Sequence, residues 1–547
     1  MIEPPQISAE QLAVALQEWR ARLGAAAVLE GPTAQQRYGR CTTGHARVIP
    51  AGLRPCSVPE IVAILEVARR YAIALYPIST GHNWGYGSAV PVSDGCVVLD
   101  LSGLDRILDM DAELGLVTVE PGVTQRMLHE FLERNRLPFL VPVTGGGPNC
   151  SLVGNALERG YGITPYADHT AAVTAIEAVL PNGRIYRSAL SEAGGELANR
   201  AFKWGIGLYL DGLFAQGNLG IVTRMTIALA RRPERIEAFL FSIAQEPALV
   251  PVVPAVQRLL RELGGVAGAV NLMNSRRMLA MITPYPELGA ASDGILPPER
   301  VAAMAAQHRV MAWTGFGALY GTAAVVRAAR RTVRRVLRPV VSRLTFMTPR
   351  GAARLHNTLS WVPRLRHGPL TRRARALDAA MQLVAGHPSE IALPLAYWRS
   401  APPPADAELD PARDGSGLIW YSPLVPMRAE LVARYVGIVG EVCAAYAIEP
   451  LITLTSLSER CFDSSVPLLF DTSDPGAAAR ARSCYLALLD AGRREGFLPY
   501  RLSAHEMGWL TAGDAPCWEM AAAIKAALDP DGMIAPGRYV GTGRPPG

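Results

Sequence analysis

The segment ISTGHNWGYGSAVPVSDGCVVLDLSGLDRI, residues 78–107, places three glycines around a histidine, a tryptophan and a tyrosine, and then runs into an apolar stretch. Glycine has no Cβ, so backbone N–H groups beside it can approach anionic oxygens closely. The continuous apolar run that follows is typical of a buried strand. Because a strand and not a helix follows the glycines, the loop matches the GxGxxG dinucleotide fingerprint poorly. The segment therefore predicts a backbone-lined loop that is not of the Rossmann type.

Two further glycine-rich segments lie in the same part of the chain. They are TGGGPNCSLVGNALERGYGITPYADH at 144–169 and DGLFAQGNLGIVTRM at 211–225. Any one of the three is explained as well by tight turns in a glycine-rich sequence. The three together favour one extended cofactor that is held at several points, although composition alone does not name it.

The pattern of apolar residues changes along the chain. Up to about residue 230, strand and helix patterns alternate, which is typical of an α+β or α/β fold. From Pro233 onward long helices rich in Ala, Arg, Leu and Val appear, such as RAARRTVRRVLRPVVSRL at 327–344. We interpret this arginine run as a solvated helix face and not as a nucleic-acid site. A chain of 547 residues with this change of character predicts more than one domain.

Composition and charge narrow the class of protein further. A net charge of +6 on 547 residues does not favour a nucleic acid or an anionic membrane as partner. No apolar run reaches membrane-spanning length. The first residues, MIEPPQISAEQ, lack the basic and apolar regions of a signal peptide, so we expect a cytoplasmic protein. The eight cysteines show no zinc-ligand spacing, so we expect no metal.

Four stretches resemble one known family. YPISTGHNWGYGSA, LVGNALERGYGITPYADH, FKWGIGLYLDGLFAQGNLGIVTRM and IKAALDPDGMIAPGRYV are similar to the FAD-linked vanillyl-alcohol oxidase and 4-cresol dehydrogenase family. The resemblance implies an α+β fold in which an FAD-binding domain is formed by residues 1–233 and 496–547, with an α+β substrate-cap domain inserted at 234–495. It also implies an FAD-binding set in the glycine loops and the tail, which comprises Ser79, Thr80, Gly81, Asn83, Gly85, Gly87, Ser88, Gly154, Asn155, Gly162, Gly220, Ile221, Val222 and Arg538.

The same resemblance implies an unusual attachment of the flavin. The cap-domain histidine that often bonds the flavin precedes a strand here written GLIWYSP, and Leu418 stands in its place. His82 instead lies where berberine-bridge-type relatives carry the histidine bonded to the flavin 8α-methyl group. Cys150 precedes Gly154 by four residues, as does the cysteine that those relatives bond to flavin C6. The pair predicts covalent FAD, with a polar loop histidine and a buried thiol as the alternative.

A third set implied by the resemblance concerns the substrate. Tyr86, Tyr500 and Arg501 match the residues that bind the phenolate oxygen in this family. Two hydroxyl donors and a permanent positive charge favour ionisation of a phenol, whose pKa is otherwise near 10. Hydride then leaves the benzylic carbon for the flavin and a quinone methide forms. The alternative is that Tyr500 and Arg501 only pack a domain interface.

Some residues depart from the family pattern. The stretch VPVTGGGPN before the second glycine loop has no carboxylate where the family places an acid, and Ile163 replaces an aromatic residue. Asp168, His169, His505 and Glu506 are therefore candidates for the missing acid or base.

The functional prediction is an FAD-dependent oxidase or dehydrogenase that acts on a para-substituted phenol or a benzylic alcohol. Two alternatives stay open, a berberine-bridge-type oxidase of a sugar or natural-product alcohol and a non-catalytic flavin-binding protein. The expected partners are a small aromatic substrate, oxygen or an electron-carrier acceptor, and further copies of the chain in a homo-oligomer.

Overall fold

The computed structural model describes residues 8–285, 295–362, 368–400, 408–511, 513 and 515–540. Within these residues the chain forms three β-sheets with helices packed against them. Mixed helices and largely antiparallel strands confirm the predicted α+β class. No helix in these ranges is long and apolar enough to cross a membrane.

The first sheet carries the N-terminal glycine loop. Its order is β1-β2-β4-β3, with β1 antiparallel to β2 and the other pairs parallel. The third helix begins where Ser57 caps it and Pro59 fills its first turn, as the sequence indicates. The elements are β1 Val28–Glu30, β2 Ala51–Leu53, β3 Leu75–Ile78 and β4 Val97–Asp100, with helices α1 Ala9–Leu23, α2 Gly31–Tyr38 and α3 Val58–Arg70.

The second sheet is antiparallel and has the order β5-β6-β9-β7-β8. The second glycine segment leads into α5, whose first turn is capped by Ser151, since its Oγ accepts a hydrogen bond from Gly154 N at 2.9 Å. The elements are β5 Ile107–Asp111, β6 Leu116–Val119, β7 Val173–Val179, β8 Ile185–Arg187 and β9 Ile221–Ala228, with α4 Gln125–Arg134, α5 Leu152–Leu157, α6 Ala189–Glu192 and α7 Glu196–Ala201.

The third sheet has eight antiparallel strands and takes all of them from Arg235–Phe470. Its order is β13-β10-β12-β11-β16-β17-β14, and β15 also pairs with β17. The strands are β10 Arg235–Ile243, β11 Asn271–Asn274, β12 Trp313–Gly321, β13 Arg343–Met347, β14 Gly417–Tyr421, β15 Leu424–Pro426, β16 Thr453–Ser456 and β17 Cys461–Phe470. We call this the cap sheet. The predicted domain boundaries at 233/234 and 495/496 stay predictions.

Helices cover the cap sheet and complete the chain. The arginine-rich α11 buries its apolar face, including Val326, Val333 and Leu337, and its Arg330 pairs with Glu237 at 2.7 Å. The remaining helices are α8 Leu249–Glu262, α9 Ser275–Ile282, α10 Pro298–His308, α11 Ala323–Leu337, α12 Pro349–Trp361, α13 Pro369–Val384, α14 Ala429–Ala445, α15 Ala477–Glu495, α16 Met507–Thr511 and α17 Pro516–Leu528.

A β-bridge and a network of hydrogen bonds attach the C-terminal tail to the N-terminal part of the chain. Ile534 forms a parallel bridge with Leu75 at the start of β3. Lys525, on α17, is fully buried and forms an ion pair with Asp529 at 2.5 Å. Its Nζ also donates to the carbonyls of Asn218 at 2.6 Å and Ile534 at 2.9 Å. Because a buried charge is stable only when it is paired and hydrogen-bonded, this network fixes the tail beside the glycine-rich segment at 211–225.

Candidate active site

A cleft with an empty volume of about 1090 Å³, including its open mouth, lies where the two N-terminal sheets meet. Residues of all three glycine segments and of the C-terminal tail line it. Most of the predicted cofactor-binding set lies in this lining, namely Ser79, Thr80, Gly81, His82, Asn83, Ser88, Cys150, Gly154, Asn155, Gly220, Ile221, Val222 and Arg538. The structure therefore brings together in one cleft residues that are far apart in sequence.

Three glycines of that set lie outside the lining and are closely packed, and their predicted role in cofactor binding stays a prediction. A Cβ on Gly85 would lie 2.1 Å from Cδ1 of Trp420, on the cap sheet. A Cβ on Gly87 would lie 2.8 Å from the Cβ of Ala504, and one on Gly162 would lie 2.5 Å from a backbone carbonyl. Gly85 and Gly87 also have positive φ angles of 75° and 123°, which favour glycine. The first glycine loop is thus pressed between the cofactor cleft and the cap.

Unpartnered polar atoms in the cleft lining fit a polar ligand. Ser88 Oγ and Asn218 Oδ1 are buried and have no hydrogen-bond partner among the described residues. The Arg538 side chain donates to the Tyr76 hydroxyl at 3.0 Å and forms an ion pair with Glu158. Buried polar groups are almost always hydrogen-bonded, so these atoms indicate a missing partner. A cleft lined by glycine backbone, apolar strand residues and an arginine fits a flavin dinucleotide.

His82 and Cys150 both line the cleft, and Cys150 Sγ lies 3.8 Å from the backbone carbonyl oxygen of His82. His82 Nδ1 is 3.1 Å from the carbonyl oxygen of Asn149, and the ring stacks on Trp84 with centroids 5.0 Å apart. Burial lowers the pKa of His82, so the imidazole is neutral at pH 7. Burial raises the pKa of the Cys150 thiol to about 12, against a smaller opposite effect of Arg501.

The three predicted phenolate residues converge at one point beside the cleft. Tyr86 Oη lies 2.6 Å from Ser422 Oγ and also interacts with the Tyr500 hydroxyl. The Arg501 guanidinium lies 4.1 Å from the Tyr86 ring centroid and donates to Asn83 Oδ1. A backbone hydrogen bond, donated by Tyr500 N to the carbonyl oxygen of Ser422 at 3.3 Å, holds Tyr500 and Ser422 together. Arg501 also lines the cofactor cleft, so this point adjoins the expected position of the flavin.

The two tyrosines are protonated hydrogen-bond donors at neutral pH. Burial raises the pKa of Tyr86 to about 12, and the positive charge of Arg501 opposes that rise. Burial also raises the pKa of Tyr500 well above its ordinary value, with the Asp463 carboxylate contributing. Since neither hydroxyl ionises near pH 7, both can donate to an anionic oxygen bound between them and Arg501.

A carboxyl group that the sequence did not single out lies at this point. Asp463, on β17, is 5 % exposed, and its Oδ1 has no hydrogen-bond partner among the described residues. Burial raises the pKa of Asp463 to about 7, while a 3.4 Å hydrogen bond from Ser465 Oγ and the charge of Arg501 lower it. A perturbed carboxyl group next to convergent donors is typical of a catalytic acid or base.

The four candidates from the sequence occupy other positions. Asp168 accepts a hydrogen bond from Ala171 N at 2.8 Å, and Glu506 pairs with Arg482 at 2.6 Å. Burial lowers the pKa of His505 to about 3 and that of His169 to about 4. The neutral His505 ring stacks on His45 with centroids 4.1 Å apart, and His169 Nδ1 lies 2.5 Å from Asn155 Oδ1.

The only sequence signal for Asp463 was its place in CFDSSVPLLF, a strand that is otherwise largely apolar and small. A carboxyl group in such a strand is either paired or functional. Among the residues described here, no cluster of His, Cys, Asp and Glu is arranged to hold a metal ion.

Comparisons with known proteins identify an FAD-binding region and full-length relatives. A family profile described as FAD binding domain matches residues 50–189. The chain is 38% identical over 538 residues to 1'-carboxy-chondrochloren decarboxylase of Chondromyces crocatus, covering 97% of this chain and 98% of that protein. It is 27% identical over 540 residues to the flavoprotein subunit of 4-cresol dehydrogenase [hydroxylating] of Pseudomonas putida, covering 98% and 96%.

Solved structures show the same architecture over the whole chain. The crystal structure of p-cresol methylhydroxylase with substrate bound superposes with a TM-score of 0.87 at 25% identity, covering 100% of both chains. The 4-ethylphenol oxidase of Gulosibacter chungangensis, in complex with isoeugenol, superposes with a TM-score of 0.87 at 24% identity, covering 98% of both chains. The cleft, its glycine loops and these full-length similarities lead to one conclusion: the chain is an FAD-dependent oxidoreductase and belongs to the FAD-linked vanillyl-alcohol oxidase and 4-cresol dehydrogenase family.

Proposed function

We propose that the enzyme removes hydride from the benzylic carbon of a para-substituted phenol or benzylic alcohol. The observation that carries this proposal is the convergence of Tyr86, Tyr500 and Arg501 beside the flavin cleft. A phenol oxygen that sits among them receives two neutral donors and one positive charge. Because the site is buried, these interactions are stronger there than in water.

Asp463 is proposed as the base that takes the phenol proton. Near pH 7 its carboxyl group is partly ionised, and it lies within electrostatic reach of both tyrosines and of Arg501. The phenolate that remains, held by the tyrosines and Arg501, pushes electrons toward the para carbon and so favours loss of hydride from the benzylic position. Bound FAD supplies the hydride acceptor. A quinone methide is left, which water or loss of a further proton converts to product.

The flavin is proposed to be covalently attached at His82 and Cys150. Their proximity in the cleft supports this, as does the neutral state of the imidazole, which leaves a ring nitrogen free to bond. Acid-precipitated protein should remain yellow, and proteolysis should yield flavin peptides that contain each residue. His82→Ala and Cys150→Ala should each retain one bond. Complete loss of flavin on denaturation of the wild type would exclude covalent attachment, without affecting the assignment of FAD.

Reduction of the flavin by a substrate panel tests the proposed reaction. A free para-alkylphenol should bleach the flavin, whereas its methyl ether should not, because an ether cannot ionise. Equal rates for phenol and ether would exclude the phenolate mechanism and favour a sugar or natural-product alcohol as substrate. No bleaching by any compound would favour a non-catalytic flavin protein. Repeating the assay with oxygen and with an artificial dye identifies the acceptor, and sedimentation tests the proposed homo-oligomer.

The full-length similarity to a decarboxylase favours a second candidate reaction. If the carbon next to the benzylic position bears a carboxylate, hydride removal leaves a quinone methide beside it. Electrons of the C–COO⁻ bond can then flow into the ring, which releases CO₂, restores the phenolate and leaves an alkene. This reaction uses the same phenolate residues. Trapping of CO₂ and detection of a 4-vinylphenol from 3-(4-hydroxyphenyl)propanoate would distinguish it from simple oxidation.

A further inference from the structure

Arg277, the third residue of α9, is a partly buried cation that the family assignment does not explain. Its Nε donates to Thr453 Oγ1 at 3.1 Å. Its Nη1 is buried and has no hydrogen-bond partner in the described part of the chain. The preceding residue provides a contrast, since Arg276 pairs with Glu449 and donates to the carbonyl of Leu296 at 2.9 Å. One arginine of the pair is thus satisfied and the other is not.

Contacts through Trp420 place Arg277 next to the first glycine loop. The guanidinium carbon lies 6.0 Å from the Trp420 ring centroid. Trp420 N donates to the carbonyl of Gly85 at 3.1 Å, and its ring occupies the space that a Cβ on Gly85 would need. Tyr86 is the next residue of that loop, and its hydroxyl contacts Ser422, which follows Trp420 by two residues.

The register of the cap sheet relates Arg277 to the proposed base. Thr453, which accepts from Arg277, pairs with Ser465 on the neighbouring strand, and Ser465 Oγ donates to Asp463 Oδ2 at 3.4 Å. Residues directly opposite each other in a sheet point to the same face, and one step of two residues along a strand is about 7 Å. Arg277 therefore lies on the same face of the cap sheet as Asp463, one row away from it.

An unpaired guanidinium in this position carries an energetic cost. Burial lowers the pKa of Arg277 to about 9, so the group is charged at neutral pH, and no carboxylate of the described residues opposes that shift. Removing a charge from water without a partner is strongly unfavourable. Its Nη1 and charge would both be satisfied by an anion that enters with the substrate.

We propose that Arg277 binds a carboxylate on the side chain of the substrate, so that the natural substrate is a phenol bearing an acid distal to the ring. The guanidinium fork matches a carboxylate in geometry, and its single charge matches a single negative charge. A phosphate ester would bring up to two charges to one cation. This inference rests on the proposed phenol oxidation and names the substrate class for it.

The test compares an acid and a neutral phenol of similar shape on the flavin-loaded enzyme. 3-(4-hydroxyphenyl)propanoate and 4-propylphenol differ mainly in the terminal carboxylate. For the wild type, kcat/KM should favour the acid. In Arg277→Met that preference should fall roughly ten- to hundred-fold, mainly through KM, because hydrogen bonds to a charged group are lost from ground state and transition state alike. Arg277→Lys should recover part of it, and Arg276→Lys should leave the preference unchanged.

Several results would overturn the proposal. One is a ratio of kcat/KM for the acid to kcat/KM for the neutral phenol that is the same in Arg277→Met as in the wild type. Another is a wild type whose kcat/KM is higher for 4-propylphenol than for the acid. If Arg277 only supports the fold, Arg277→Met should lower the melting temperature and impair both substrates equally, which would also overturn it. If Arg277 instead binds the acid, Arg277→Met should not lower the melting temperature, since the substitution removes a charge that has no ion pair among the described residues. If neither phenol reduces the flavin in the wild type, the proposed function itself fails.

Discussion

Replacing Asp463 with asparagine should move the pH at which the enzyme becomes active on a phenol. Burial raises the pKa of Asp463 to about 7, so wild-type kcat/KM should rise with pH and level off above about 7, where the carboxylate can take the phenol proton. Asparagine cannot take that proton, and the phenol must then lose it to solvent. The inflection should move upward, toward the phenol pKa of about 10.

The size of the effect follows from these two pKa values. The phenol pKa lies about three units above that of Asp463. At pH 7 a phenol that must lose its proton to solvent is therefore ionised to only about one part in a thousand. Tyr86, Tyr500 and Arg501 remain in the variant and still stabilise the phenolate, so we expect a loss of about 10²–10³ in kcat/KM. Stopped-flow bleaching of the flavin between about pH 5 and about pH 10 measures it. A phenol made more acidic by ring halogens should restore much of the lost rate.

An unchanged inflection near pH 7 in Asp463→Asn would refute this role. Ser465→Ala is the matched control, because the Ser465 hydrogen bond lowers the pKa of Asp463. That variant should shift the inflection upward slightly without removing it.

Stability provides a readout of the same carboxyl group that does not depend on catalysis. The folded pKa of Asp463 is raised from 3.8 to about 7. Ionisation of Asp463 therefore lowers the free energy of unfolding. This loss is absent below about pH 4 and reaches on the order of 4 kcal/mol once the pH exceeds about 7. Asp463→Asn should be more stable than the wild type, with a difference that grows between these pH values and is constant above them. Thermal melts of the protein across this range test it.

Two further predictions concern the flavin attachment and the phenolate site. Gly146→Ala should abolish the flavin bond to Cys150, because the new Cβ would lie 2.7 Å from its Sγ, whereas Gly145→Ala meets only a methyl group at 3.3 Å and should keep the bond; peptide mass analysis measures both. Arg501→Ala should lower kcat/KM for a phenol roughly ten- to hundred-fold, and Tyr500→Phe less, because only the former removes a charge. Equal losses in steady-state assays would contradict the second prediction.

Local patterns predicted several elements of the fold and the segments that line the cleft. The apolar run after the first glycine loop forms β4, and the segments at 144–169 and 211–225 line the cleft together with that loop. Each is a short-range feature, a turn followed by a strand or helix, so it can be read from a few neighbouring residues. The meeting of Tyr86 with Tyr500 and Arg501 came from the family resemblance and not from local pattern.

The rest of the site depends on contacts between distant residues. Asp463 reaches the tyrosines only because β17 lies between β16 and β14 in the cap sheet, an order that no local pattern in the sequence determines. The proposed role of Arg277, on helix α9, likewise depends on its neighbours Thr453 and Trp420, which lie on two strands distant in sequence. No local pattern in the sequence indicates that Gly85, which we predicted to bind the cofactor, packs against the indole of Trp420.

The attachment of the C-terminal tail to β3 determines when the cleft can be completed during synthesis of the chain. The cleft needs Ile534, Ala535 and Arg538, yet the strand that receives them, at Leu75, leaves the ribosome several hundred residues earlier. Domains fold as units while the chain emerges from its N-terminus, and contacts this far apart in sequence form last. The cap sheet can therefore fold before the cleft is complete. A complete cleft therefore requires that residues 534–538 have been synthesised and have docked beside β3.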